Sequence, residues 1–394
     1  VISDGSLWGD WRAFCVDRVD PRPVFYKARS MIAHPLRYDP SMETPEEDEL
    51  ETGRELVDTL RKIAEITYRD GHHALRAVHA KSHGLLSAEL IVPDDLPDVL
   101  AQGLFAKPAR YPAVMRFSTT PGDVLDDNVS TPRGLAIKIL QVQGARLLGS
   151  EIADTQDFLL ANGKTFGGAN GRAFLTSLKM LAPTTDKAEG LKMALSQVLQ
   201  VAEKALEAVG GKSATMIALG GHPKTNILGE SFYGQTPLLF GPYIAKVALV
   251  PASDNLIALT GALVDLHDKP NGLREAISAA FLHEGGAWDL QIQLAINLND
   301  TPIEDSSKLW PEDLTPFVTV ARLVAPQQTT WNDLRHVAVD EDMAFSPWHG
   351  LAAHRPLGSI MRMRKAAYEM SAGFRSAHNH CPITEPRSLD GAFQ

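Results

Sequence analysis

Arg364 and Tyr368 stand four residues apart in PLGSIMRMRKAAYEMSAGFR, residues 356–375. Read as a helix, this stretch puts both on one face, with Arg375 two turns beyond Tyr368 on the same face. Pro356 suits a first helical turn, and Gly373 loosens the other end. A phenol ionises near pH ~10, and a metal together with a guanidinium one helical turn away would bring it below neutral. Tyr368 is therefore a candidate tyrosinate metal ligand, although an isolated R-x-x-x-Y pair also describes any amphipathic helix. His79, in Arg76-Ala77-Val78-His79-Ala80-Lys81, is a candidate acid–base group. An imidazole with an ordinary pKa near ~6.5 can take a proton and return it at neutral pH. In Met115-Arg116-Phe117-Ser118-Thr119, strand alternation places Arg116 and Ser118 on one face.

Together and in this order, these stretches resemble the haem catalases. Arg364-x-x-x-Tyr368 looks like the family's proximal signature, Arg76–Lys81 its R-x-V-H-A-K strand, and Met115–Thr119 its V-R-F-S-T. Pro132–Lys138 is similar to D-P-R-G-F-A-L-K, with Thr131 where that pattern has Asp. Trp288–Ile296 resembles S-W-T-F-Y-I-Q-V, Lys308–Pro311 resembles T-K-V-W-P, and Asp340–Pro347 resembles V-E-Q-L-A-F-D-P. The matches run from about residue 70 to 376.

The resemblance implies a site. Tyr368 would be the axial ligand to the iron of haem b, a ligand type established for catalases. Arg364 would support its phenolate, and Arg76, Arg116 and Arg375 would pair with the haem propionates. His79 would be the distal acid–base, and Ser118 would fix its tautomer. Phe158 and Phe166 match two family phenylalanines above the haem plane, Phe166 being the one to stack on a pyrrole. The implied activity is cleavage of hydrogen peroxide or an organic hydroperoxide through a ferryl intermediate, which a second peroxide or an organic electron donor then reduces. The family has an asparagine shortly before the first of those phenylalanines, where it orients peroxide. Counting back from Phe158 puts Ala153 there, which implies a better peroxidase than catalase. Two alternatives stay open: an allene-oxide-synthase-like haem enzyme rearranging a fatty-acid hydroperoxide, and a barrel that binds an apolar ligand without haem.

These residues need elements to hold them. Strand patterns occur twice within 75–92, then at Ala113–Thr119, Gly134–Gln141, Asp157–Ala161, Tyr243–Val250, Leu256–Val264, Trp288–Ile296 and Val318–Leu323. Helical patterns occur at Glu46–Asp70, Arg172–Leu181, Lys187–Val209 (stopped by Gly210-Gly211) and Leu273–Phe281. Short strands at regular spacing suggest an antiparallel barrel or sandwich. The resemblance sharpens this to an α+β fold: an eight-stranded antiparallel β-barrel with helices outside and haem between the barrel and the proximal helix. The expected organisation is an N-terminal arm over 1–47, a haem domain over 48–376 and a C-terminal tail over 377–394. Within the domain lie a helical insert at about 172–211, an extended wrapping segment at about 325–352 and the proximal helix at about 356–375.

Composition excludes several classes. A net charge of −10 argues against nucleic acid or an anionic membrane as partner. Two cysteines, Cys15 and Cys381, make no disulfide framework, and no run of about 18 apolar residues spells a membrane span. Residues 1–12 lack the features of a signal peptide, so a cytoplasmic setting is expected. The partners expected are a peroxide or hydroperoxide and an electron donor, with a homo-oligomer left open.

Overall fold

Alternating apolar residues build the centre of the molecule. The computed structural model describes residues 34–181, 221–389 and 393. Residues 1–33 of the expected arm, and the helix read at Lys187–Val209 with its glycine stop, lie outside that range. Nine strands form one antiparallel sheet: β1 (Ser82–Val92), β2 (Ala109–Thr119), β3 (Arg133–Ile139), β4 (Gln156–Ala161), β5 (Phe232–Tyr233), β6 (Leu238–Phe240), β7 (Tyr243–Pro251), β8 (Gly286–Leu294) and β9 (Val318–Ala325). The two-residue β5 closes the ring, because Tyr233 pairs with Ala161 of β4 and with Ala248 of β7. Eight strands thus make the barrel, and β6 is a hairpin extension on β7.

Alternation gives the barrel wall two different faces. Met115 and Phe117 of β2 point inward with Leu135, Ile137, Phe158, Phe232 and Trp288. Phe117 packs against Phe232 at 5.9 Å and Trp288 at 6.0 Å between ring centroids. Side chains thus fill the interior where the ligand-binding-barrel alternative would place its ligand. Val114 faces outward and packs, with Leu85, under Val339, Met343 and Phe345 of the wrapping segment. Arg116 and Ser118 share that outward face.

The site's helices lie outside the barrel. The longer helices among the described residues are α1 (Glu49–Gly71), α2 (Gly171–Leu181), α3 (Gly272–Phe281) and α4 (Ser359–Asn379). Leu56, Leu60 and Ile63 of α1 meet Leu175 and Leu178 of α2 and Met363, Ala367, Met370 and Phe374 of α4. Ala74 and Ala77 belong to the same cluster, so the segment carrying Arg76 and His79 is docked on these helices. Among the described residues no helix is long and apolar enough to cross a membrane.

Several elements differ from their sequence reading. Residues 75–81 are not strand, and β1 starts only at Ser82. Leu256–Val264 is no strand either: Asp254–Ile257 forms one helical turn, 258–261 are turn, and Leu263 makes an isolated bridge to Thr225. β5 and β6 are too short to leave a periodic signal. The wrapping segment contains a wide helical turn at His336–Glu341. Helix α4 begins after Gly358, which has φ 86° and no room for a Cβ, since that atom would meet Ile303 O at 2.5 Å. Pro356 instead bridges to Leu238. Gly373 lies inside the helix with open space beside it, and the helix stops at His380 in the left-handed region.

Candidate active site

Helix α4 carries two parallel stripes. Met363, Ala367, Met370 and Phe374 face the helical cluster. One residue further round, at the same spacing, stand Arg364, Tyr368, Ser371 and Arg375. Arg364 Nη2 donates to Tyr368 Oη at 2.5 Å, and its guanidinium lies 5.5 Å from the Phe166 ring centroid. Phe166 in turn meets Phe174 edge-on at 4.8 Å. Burial raises the Tyr368 pKa above its ordinary value, and Arg364 pulls against that rise. Ser371 Oγ accepts from Ala77 N at 3.3 Å, which ties this stripe to the segment bearing His79.

His79 is held in an uncommon backbone conformation, φ 56°. For a residue with a Cβ such strain is of order 1–3 kcal/mol and persists only when its surroundings enforce it. Here His79 N donates to Thr120 O at 2.9 Å and Ala80 N to Pro121 O at 3.0 Å. Arg116 Nη2 donates to the carbonyls of His79 and Ala80, at 2.9 and 3.1 Å. The ring lies over Gly134, where a Cβ would fall 2.4 Å from His79 Cε1. His79 Nδ1 is 3.0 Å from Ser118 Oγ, and that hydroxyl can donate onward to Gly134 O at 3.4 Å. This pattern assigns the proton to Nδ1 and leaves Nε2 as an acceptor. Burial, then Arg116, Arg364 and Arg76, lower the His79 pKa to about 3, so the ring is neutral at physiological pH. That differs from the ordinary value assumed from sequence.

Arg76, Arg116 and Arg375 converge, and they do so on the wrapping segment. Arg116 Nε donates to Asp340 Oδ1 at 2.6 Å, and Arg76 Nη1 reaches the same oxygen at 3.2 Å. Arg76 also donates to the carbonyls of Asp340, Val339 and Met343, at 2.8, 2.9 and 2.9 Å. Arg375 donates to the carbonyls of Asp340 at 2.5 Å, Glu341 at 3.2 Å and Met343 at 3.0 Å. The carbonyls of Val339, Asp340 and Glu341 belong to the wide turn at His336–Glu341, and Met343 follows it. Burial, then the neighbouring guanidiniums, lower the Arg76 pKa well below its ordinary value, and burial first brings Arg375 to about 10. Among the described residues the buried Arg375 Nε has no hydrogen-bond partner.

Phe158 does not join this group. Its place in β4 turns it into the barrel, where it packs against His354 at 6.2 Å. That placement also corrects the reading of Ala153. Gly134, under His79, pairs with Ala161, whereas Gln156 pairs with Ile139 five residues away, about 16 Å along the strand. Ala153 lies beyond Gln156, at the end of the strand pair remote from His79. The residue that follows Ala161 is Asn162, four before Phe166. Asn162 Oδ1 accepts from Arg133 N at 2.9 Å. Its Nδ2 is 2.7 Å from His222 Nε2 and also contacts Glu230 Oε2. Burial, then Arg133, lower the His222 pKa to about 3, and burial raises that of Glu230. Strand register is the signal that finds Asn162, as the residue following the partner of Gly134.

Solved structures share this architecture. A fungal catalase aligns with a TM-score of 0.54 at 16% identity, covering 82% of this chain and 67% of that one. Catalase A from Saccharomyces cerevisiae gives 0.53 at 16% identity, with 83% and 69% covered. A bacterial catalase gives 0.53 at 16% identity, with 92% and 70% covered. The chain is therefore catalase-like in fold: a closed eight-stranded antiparallel barrel with helices packed outside. At such identity the likeness speaks for the fold alone. No protein-family model matches the sequence, and no curated protein matches it.

Proposed function

We propose that the chain is a catalase-like haem enzyme that cleaves peroxides, acting more as a peroxidase than as an efficient catalase. One observation carries this reading: Arg364 acts on both chemical groups at once. It is hydrogen-bonded to Tyr368 and is one of the charges that lower the His79 pKa, and Ser371 on the same helix stripe holds Ala77, two residues before His79. The residues present fit haem b. A phenol with a guanidinium partner suits an iron ligand, and three buried guanidiniums, one with an unpartnered nitrogen, suit the cofactor's carboxylates. When bound, the iron would supply the Lewis-acid and redox chemistry of O–O cleavage.

The chain's own residues do the rest. His79 Nε2, kept free by Nδ1 and Ser118, takes the proton from the inner peroxide oxygen and returns it to the departing outer oxygen. Both amide hydrogens of Asn162 are directed to His222 and Glu230, so Asn162 is not free to serve as a second donor that holds a small peroxide. One such hydrogen bond is worth about 1–3 kcal/mol, or about ten- to a hundredfold in rate. Organic hydroperoxides and peroxidase donors, which gain less from a second hydrogen bond, are therefore the better substrates.

The test is spectral and then kinetic. Haem-replete expression should give a Soret band, and Tyr368→Phe should shift the ferric spectrum and weaken haem retention. On an oxygen electrode, hydrogen peroxide should release oxygen slowly while donor oxidation proceeds. Oxygen evolution near the diffusion limit would refute the peroxidase assignment, and absence of a Soret band would refute haem altogether.

A further inference from the structure

Asp340 occupies the middle of the arginine cluster. Its Oδ1 accepts from Arg116 and Arg76, and its Oδ2 accepts from Ser82 Oγ at 2.5 Å and lies 3.0 Å from His336 Nδ1. Burial alone would raise its pKa, but Arg116, His336 and Arg76 hold it well below the usual carboxylate range. It is therefore a permanent anion. The motif that Asp340–Pro347 resembles begins with an apolar valine, so nothing in that pattern calls for a carboxylate here.

We propose that Asp340 is an internal anion standing in for a ligand carboxylate, and that it competes with the cofactor's carboxylates for Arg76 and Arg116. This inference rests on the haem reading given above. Three guanidiniums buried together repel one another, and without a counter-ion the cluster would spread or draw in solvent. Asp340 keeps it assembled in the cofactor-free chain. An entering carboxylate meets that negative charge, and the guanidinium edges it needs are already in use. Arg375 spends its bonds on carbonyls rather than on a carboxylate, so it is the guanidinium that Asp340 leaves for the ligand. His336, whose side chain is 42% exposed, offers Asp340 a second cation on the solvent side when the arginines turn to the cofactor.

A purely structural ion pair makes the opposite prediction, which gives a clear test. Cofactor-free protein is titrated with protoporphyrin IX, with haem and with protoporphyrin dimethyl ester, for the wild type and Asp340→Asn. The variant should bind both free acids about tenfold more tightly, the scale of one charge-assisted hydrogen bond. Its affinity for the ester should not change. Weaker or unchanged binding of the free acids, or an equal gain for the ester, overturns the proposal. A second arm needs no porphyrin: thermal melts in sodium sulfate and in sodium chloride at equal ionic strength. Asp340→Asn should gain a sulfate-specific rise in melting temperature that the wild type lacks, and no such gain also overturns the proposal. Asp340→Val serves both arms if the asparagine variant folds poorly. A wild type that takes up no porphyrin refutes the haem reading, while the sulfate arm still decides the role of Asp340.

Discussion

Two buried charge clusters sit on the outer face of the barrel wall, one at β2 and one at β3 and β4, and they are built differently. One is the arginine cluster on Asp340. The other lies at the far end of β3 and β4, where Lys138 Nζ donates to Asp157 Oδ1 and Oδ2 at 2.8 and 2.9 Å and to Glu385 at 2.7 Å. His349 Nδ1 makes ion pairs with Asp157 at 3.3 Å and with Glu385 at 3.0 Å. Burial opposes its charge, but Asp157 and Glu385 raise its pKa to about 9, so it is a cation. Two cations thus face two anions, and Glu385 fastens the C-terminal tail to the barrel. In the arginine cluster three guanidiniums surround one fully buried carboxylate, which accepts from two of them, and Glu341 on the rim lies 2.9 Å from His73. Here guanidinium charge exceeds carboxylate charge, and the proposed binding of ligand carboxylates draws on that excess; in the Lys138 cluster, cation and anion counts match. Burial and sequence pattern look alike in both, and the charge count is what separates them.

The largest effect should come from unbalancing the matched cluster. Lys138→Met leaves two carboxylates facing one histidine and should cost about 3–5 kcal/mol in denaturant unfolding, the scale for breaking a buried pair. The same change at Arg116 should cost about 1–2 kcal/mol, since Arg76 still holds Asp340 and one repulsive neighbour is gone. Equal losses would erase the distinction. Second in size is His79→Ala, which should keep fold and cofactor but slow peroxide consumption by about 10²-fold or more. Stopped-flow mixing at wild-type speed would place the proton transfer elsewhere. The smallest effect concerns pH. The folded pKa of His349 is raised, so its stabilisation is full below the ordinary value near ~6.5 and is lost as pH rises through about 9. His79 behaves oppositely: its pKa is lowered to about 3, so its contribution is present above ~6.5 and is lost as pH falls. His349→Gln should therefore flatten the alkaline limb of stability by about 1–2 kcal/mol and leave the acid limb alone. A variant with an unchanged alkaline limb would show that His349 is not charged.

Much of this was legible in the sequence where one periodicity carried it. The Arg364, Tyr368, Arg375 stripe could be read because helical spacing alone puts those residues on one face. Arg116 and Ser118 could be read for the same reason from strand alternation. His79 could be named, but its backbone could not: a left-handed residue leaves no periodic trace, and residues 75–81 read as strand. Phe158 and Ala153 went astray together. Whether a strand residue faces in or out depends on register, and the count from Phe158 began on the wrong side of the wall. Asp340 leaves no such signal, because nothing in an acidic residue of a short turn announces three arginines from three distant segments.

Gly134 has an ordinary strand backbone, so conformation does not require glycine there, and glycine in a strand costs about 0.5–1 kcal/mol relative to alanine. What requires it is the His79 ring, seated where any side chain would begin. The smallest possible substitution, a single methyl group, must push that imidazole away from its place while leaving every functional group in the chain intact. The residue at 134 thus acts on His79 through an atom it does not have.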